Sequence, residues 1–327
     1  MPKAHNPRHG SMQFWPRKRA KKETPRVRSW VKSKEALPLG FSGYKAGMTH
    51  IIAIDNRAKS PSKGQEIALP VTVIECPPIK IAEVHLYKQT QYGKKLSKII
   101  HIKSDKELKR RKTVAKKTDE AELDKISPEE YNDIRIAVYT QPKQTGIGKK
   151  KPEIYELSLG GSNSEKLNYI KEHLNKEIRV SEIFKPGQLV DTLAVTKGKG
   201  FQGPVKRFGV SIRSHKSEKT IRGPGSLGGW KGHAHFMYRN AQAGQTGYHQ
   251  RIEFNKWILK ISDKPEEINP KGGFLRYGNV KSEYMIVKGS VQGPKKRLIR
   301  FNVPKRPDKN VPKEAPSIVH TNLESKQ

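Results

Sequence analysis

Sixty-six Lys and Arg face 31 Asp and Glu in this chain of 327 residues, and the resulting formal charge of +35 limits how much of it can fold into one compact body. Such an excess repels itself in a free compact state and requires a polyanionic partner. Nucleic acid is the leading candidate, because cations that neutralise phosphates release condensed counterions, a large sequence-independent driving force. An anionic membrane surface is the competing polyanion. No apolar run approaches the ~20 residues of a spanning helix, and the opening Met1-Pro2-Lys3-Ala4-His5 lacks the apolar core of a signal peptide. The expectation is a cytoplasmic chain with no membrane partner. Hydrophobic residues make up 33% and charged residues 30%, so a modest core forms while some segments become ordered only on a partner. The single Cys76 excludes an internal disulfide and a multi-cysteine zinc site. In the run Val71-Thr72-Val73-Ile74-Glu75-Cys76 it reads as a buried strand residue.

The charge is unevenly spread. Residues 1–36 hold 11 Lys/Arg against 2 Glu, and residues 196–260 hold 13 against 2. Residues 104–182 hold 17 against 15 Asp/Glu, a net of only +2. That near-neutral quarter reads as a solvent-facing module, with the basic segments on the RNA side. Up to Leu37 there is no sustained period of 3.6 or 2, and four prolines keep the segment extended. From Gly40 short apolar runs resume, and 48–54, 69–74 and 79–87 are predicted strands, the second an edge strand because of Pro70. In the near-neutral quarter, 104–125 is a charged helical stretch and Ser127-Pro128-Glu129-Glu130 is predicted to be a capping box. Strands follow at 135–140 and 154–159, then a helix at 164–174 with Leu167, Ile170 and Leu174 on one face. Further strands are predicted at 178–180, 189–196, 251–261, 283–287 and 296–301. The fold class is mainly β with an α/β insertion. The expected organisation is an arm at 1–39, a β domain split between 40–103 and 183–303, the insertion at 104–182, a glycine-rich loop at 197–250 and a basic tail at 304–327. A structureless connection as long as that loop favours a functional extension over a domain.

The arm interleaves cations with aromatics: Arg8, His9, Phe14, Trp15, Arg17, Lys18, Arg19, Lys21, Arg26 and Arg28 are its candidate RNA contacts. Arg and Lys meet phosphates, while Phe14, Trp15 and Trp30 can stack on unpaired bases. A solvated tail or a localisation signal would gain nothing from exposed Trp. Gly198-Lys199-Gly200-Phe201-Gln202-Gly203 satisfies the G-x-G-x-x-G of phosphate-binding loops. A dinucleotide fold needs a helix next, and Pro204 with Lys206-Arg207-Phe208-Gly209 shows no apolar helical face. The motif is read instead as glycines that let backbone approach RNA, with Lys197, Lys199, Lys206 and Arg207 on phosphates. A nucleotide-dependent or RNA-modifying enzyme is the rival, and a DNA-compacting protein a third reading. Arg213, Arg222, Trp230, Lys231 and Arg239 extend the candidate set through the loop. The Trp230 ring finds either a base or the β domain. His233 and His235 read as polar contacts, because no Asp, Glu or Cys stands near to complete a metal site. Gln245, Tyr248, His249 and Arg251 close the set on the return path. No nucleophile–base or paired-carboxylate arrangement emerges, so neither catalysis nor a cofactor is expected.

Several of these stretches, in order along the chain, resemble the large-subunit ribosomal protein L-three family in its archaeal and eukaryotic form. They are Arg8-His9-Gly10-Ser11 with Pro16-Arg17-Lys18-Arg19, Gly43-Tyr44-Lys45-Ala46-Gly47-Met48-Thr49, and Val195-Thr196-Lys197-Gly198-Lys199-Gly200. Ala243-Gly244-Gln245-Thr246-Gly247-Tyr248-His249-Gln250-Arg251 and Asn269-Pro270-Lys271-Gly272-Gly273-Phe274 with Tyr277-Gly278 complete them. The resemblance implies a closed translation-protein β-barrel interrupted by an α/β insertion, and it adds Lys45 to the RNA contacts. It implies an arm and a loop that run into large-subunit (23S) rRNA, the loop approaching the peptidyl transferase centre with Trp230 at its tip. It implies a non-enzymatic role in subunit assembly, neighbouring large-subunit ribosomal proteins as partners, no small-molecule substrate, and residence in the cytoplasmic large subunit. The short C-terminal tail favours an archaeal source.

Overall fold

The structure, a computed structural model, describes residues 7–103, 105–114, 118–228 and 236–324. It divides into two compact units, one of residues 1–22 and 195–250 and the other of 23–194 and 251–327. Along the chain run β1 (Gly40–Ile54), β2 (Glu66–Glu75), β3 (Ile79–Thr90), β4 (Gly93–His101), β5 (Asp133–Thr140) and β6 (Ile154–Ser158). They are followed by α1 (Asn163–Glu172), α2 (Val180–Ile183), β7 (Leu189–Val195), β8 (Gly200–Gln202), α3 (Pro204–Phe208) and β9 (Gly244–Thr246). The last elements are β10 (Gln250–Ser262), β11 (Tyr284–Lys288), β12 (Leu298–Asn302) and β13 (Ile318–Thr321). The molecule is mainly β.

In the larger unit one sheet runs β12-β7-β10-β11-β2-β1-β13, with an additional pairing of β12 to β1. Its strands are apolar on both faces, and the period of two sorts the side chains into two cores. Val71 and Val73 of β2, Trp257 and Leu259 of β10, and Tyr284 and Ile286 of β11 enter one core. Their neighbours Ile74, Ile258, Met285 and Val287 enter the other, with Ile299, Phe301 and the fully buried Cys76. β2 is central rather than an edge. Pro70 lies one residue beyond the last β2–β11 pair, Val71 with Lys288, and its carbonyl accepts from Gly289 N–H at 2.8 Å. A proline at a ladder's end removes no interior hydrogen bond.

A second sheet, β4-β3-β5-β6, packs Val84, Leu86, Ile134, Ile136 and Val138 against Leu167 and Ile170 of α1. Sheet membership crosses residue 103: β3 and β4 lie before it, β5 and β6 after it. The capping box belongs to α1, not to Ser127. Ser162 Oγ accepts from Glu165 N–H at 3.4 Å, and Glu165 Oε2 accepts from Ser162 N–H at 2.7 Å. Ser127 makes no capping bond, and residues 128–130 form one 3-10 turn. The described residues of the charged stretch 104–125 form two 3-10 turns, 106–110 and 120–125, and no α-helix. Only Leu108 and Leu123 in them are buried, too few apolar side chains to hold an α-helix against the sheet. Residue 178 makes a lone bridge to Ile79, and Val180 opens α2 where a strand was predicted.

Candidate nucleic-acid interface

The smaller unit concentrates the charge. Its residues 1–22 and 195–250 contain 17 Lys/Arg and one acid, Glu218. Its frame is the β8–β9 hairpin, in which Gly200 pairs Thr246, Phe201 pairs Gln245 and Gln202 pairs Gly244. Gly247 then turns the chain with φ +72°, and a Cβ there would stand 2.0 Å from the Lys197 carbonyl oxygen. Only glycine fits both conditions. A short helix does follow the glycine motif, contrary to expectation: α3 opens on Pro204 and stops at Gly209 in the left-handed region. Five residues after a three-residue antiparallel strand are not the βαβ unit that a dinucleotide site requires.

Arg207 holds this frame rather than an external phosphate. Its Nη1 donates to the Gln242 carbonyl at 2.8 Å, and its Nε donates to the Gln245 carbonyl at 3.2 Å. Burial pushes its pKa down. The arm folds with the loop. Trp15 stacks on Phe208, with centroids 6.1 Å apart, and meets Tyr238 edge-on at 5.6 Å. Arg17 lies 4.1 Å from the Phe208 centroid and donates to the Arg207 carbonyl at 3.2 Å. His249, 8% exposed, directs Nδ1 to the Lys18 carbonyl at 2.8 Å, so Nδ1 carries the proton. Ala20 N–H donates to the Tyr248 carbonyl at 2.8 Å, and Arg19 lies 5.3 Å over the Tyr248 ring. Arg8 reaches the Arg239 carbonyl at 2.8 Å. Trp15, Arg17, Arg207 and His249 therefore have protein partners within this unit.

Among the described residues, the remaining cations of this unit are exposed. Lys18, Arg19, Lys21, Lys197, Lys199, Lys206, Arg213, Arg222 and Arg239 are exposed, as are Arg8, His9 and Phe14; Gln245 and Tyr248 are half-buried. Phe201 was overlooked: it is 76% exposed beside Lys199 on the hairpin, and Tyr238 is 66% exposed. An unpaired aromatic between two glycines of a basic motif was the available signal. Trp230, Lys231, His233 and His235 lie outside the described residues.

In the larger unit Arg26 and Arg28 are exposed and Arg251 is half-buried. Lys45 is turned inward: it is 9% exposed, and its ammonium donates to the carbonyls of Val291 and Gly293. Burial lowers its pKa. A side chain held by two carbonyls inside the fold is a structural cation, not an RNA contact. Trp30, expected to stack on a base, packs against the core with the Arg300 guanidinium 5.6 Å from its ring. Among the described residues no group of three or more His, Cys, Asp or Glu is placed to hold a metal. No described helix is long and apolar enough to cross a membrane.

Comparison with known proteins agrees with the resemblance. The family described as ribosomal protein L3 matches residues 1–324. The large ribosomal subunit protein uL3 of Archaeoglobus fulgidus is 47% identical over 330 residues, 99% of either chain. That of Methanococcus vannielii is 46% identical over 331 residues, covering 99% of this chain and 98% of the relative. That of Methanobrevibacter smithii is 44% identical over 336 residues, covering 100% and 99%. With a match of that extent, the chain belongs to the ribosomal protein L3 family.

Proposed function

We propose that this chain is a structural, non-catalytic constituent of the cytoplasmic large ribosomal subunit, and that it binds large-subunit rRNA directly. The observation that carries the reading is the smaller unit, with 17 cations and one acid. The near-full-length relatives carry the large-subunit name. Exposed Lys and Arg of the arm and hairpin neutralise phosphates, exposed aromatics stack on bases, and glycines admit close backbone approach. The loop between β8 and β9 brings the chain to the peptidyl transferase centre, with Trp230 as its proposed contact there, and neighbouring large-subunit ribosomal proteins are further partners. The pairings β1–β12, β12–β7, β7–β10, β10–β11, β11–β2 and β2–β1 support a closed six-stranded barrel in the larger unit. The test is affinity for large-subunit rRNA as a function of salt. A protein with 6–10 phosphate contacts loses about 10³–10⁵ in affinity between 50 and 200 mM salt. An affinity flat over that range, or equal for duplex DNA, overturns the proposal.

A further inference from the structure

The near-neutral total of residues 104–182 conceals a division. Residues 104–117 carry 7 Lys/Arg against 2 acids, while residues 118–182 carry 10 against 13. Residues 105–112 of the basic part are fixed on the four-stranded sheet. In the 3-10 turn 106–110 the side chain of Leu108 is 4% exposed and packs with Ala82 and Tyr139. Asp105 accepts from Tyr139 Oη at 3.0 Å, and Lys112 pairs with Glu83. Both acids of the segment are engaged by cations from elsewhere in the chain: Asp105 by Lys80 at 3.0 Å and Glu107 by Lys143 at 3.1 Å. They do not neutralise the segment's own charges. Lys103, Lys106, Lys109, Arg110 and Arg111 are exposed; the Lys103 backbone N–H donates to Glu120 Oε1 at 2.8 Å, but among the described residues none of the five charged side chains forms an ion pair with an acid.

We infer that Lys103, Lys106, Lys109, Arg110 and Arg111 form a second RNA-binding surface, which grips the phosphate backbone of folded rRNA independently of the arm and the loop. The inference rests on the reading of the chain as an rRNA-binding constituent. Lys106, Lys109 and Arg110 on the anchored turn, with Arg111 at its cap and Lys103 just before it, have their backbone already placed, so less conformational entropy is lost on binding than for a free basic tail. A protein partner is disfavoured, because protein interfaces are centred on apolar and aromatic anchors. Residues 103–114 expose no large hydrophobic side chain among those described. Phosphates need no such anchor.

The experiment compares the full chain with the variant Lys106→Ala/Lys109→Ala/Arg110→Ala/Arg111→Ala, which keeps Leu108, and with Lys199→Ala/Lys206→Ala in the hairpin. With intact rRNA, the slope of log affinity against log salt should become shallower by about three in the first variant, from four lost contacts at ~0.7–0.9 each. Hydroxyl-radical footprints lost in that variant should differ from those lost in the hairpin variant. As a measurement free of substitutions, Lys103, Lys106 and Lys109 of the unmodified chain should be protected from acylation when rRNA is bound. Unchanged slope, unchanged footprint or undiminished acylation, with the unmodified chain still bound, overturns the second surface alone. Failure of the unmodified chain to bind overturns the parent reading and this one with it.

Discussion

Among single residues, the cations of the basic unit divide into two kinds that composition cannot separate. Arg207 and Lys199 are eight positions apart in one motif, yet the first spends its guanidinium on backbone carbonyls and the second stands exposed. Their alanine variants should differ in kind. Lys199→Ala is expected to reduce the salt slope of rRNA binding by roughly 0.7–0.9 and leave amide exchange in the hairpin unchanged. Arg207→Ala leaves carbonyls without their donors and should speed exchange at residues 200–202 and 244–246. Identical behaviour in both assays would mean that Arg207 is no brace. Gly247→Ala is a sharper probe of the same turn, because both its φ of +72° and the Lys197 carbonyl exclude a Cβ. A local cost of about 1–3 kcal/mol should appear as lost protection across the hairpin, and normal protection would show that the turn can relax. Gly10 is constrained in the same way as Gly247. A Cβ at Gly10, where φ is +81°, would stand 2.6 Å from the Phe208 ring.

For the elements, the four-stranded sheet carries a charge network on the face away from its core. His85 on β3 stands 3.4 Å from Glu83 and 3.5 Å from Glu156 of β6, with Arg135 of β5 3.4 Å from Glu156 and His101 of β4 3.1 Å from Glu83. Burial alone would lower the His85 pKa, but hydrogen bonds and charges from Glu156 and Glu83 outweigh it and raise it to about 9. The hydrogen bond with His85, opposed by burial and helped by Lys112, holds Glu83 down at about 2. A histidine raised in the folded state contributes its stability in full below its unfolded pKa of ~6.5 and loses it as pH rises toward 9. The urea midpoint of the chain should therefore fall between about pH 6.5 and 9, and His85→Gln should flatten that fall. The effect is bounded by about 3 kcal/mol, the full shift converted at 1.36 kcal/mol per unit. Parallel curves would remove His85 from the network's energetics. Most strands were legible because apolar runs such as Val71 to Ile74 are short and bounded by Pro and Gly. β4 was not, since Gly93-Lys94-Lys95-Leu96-Ser97-Lys98 buries little and pairs as an edge beside β3. β8 and β9 were hidden for another reason: each is three residues long, and their partners lie some forty residues apart. The capping box was misplaced because Ser127 and Ser162 both precede an acid by three residues, and only the second is followed by enough apolar surface to hold a helix.

In the whole molecule, charge segregation was readable from the sequence, and the use made of each charge was not. Counting placed the excess in the arm and loop but could not show that Trp15, Arg17 and His249 bind the arm to the loop. Nor could it show that Lys45 is drawn inside. Those contacts join residues about 190 to 245 positions apart, beyond any local period. One consequence is testable on the free protein. The unit of residues 1–22 and 195–250 holds 17 cations and one acid, whereas the rest of the chain holds the other 49 cations with 30 acids. Self-repulsion per residue is therefore greatest in the smaller unit, and added salt relieves it as the Debye length shortens from about 10 Å at 0.1 M to 3 Å at 1 M. Hydrogen exchange of the RNA-free chain at 50 and 500 mM NaCl should show amides of residues 197–202 and 244–249 gaining protection with salt. Those of β1 and β2, buried in both cores, should change little. Binding of rRNA should protect the same hairpin amides at low salt, because phosphates supply the neutralisation that salt supplies in their absence. An equal response of hairpin and β1–β2 amides to salt would show that the smaller unit is held by its aromatic and carbonyl contacts alone, with its charge exerting no destabilising force.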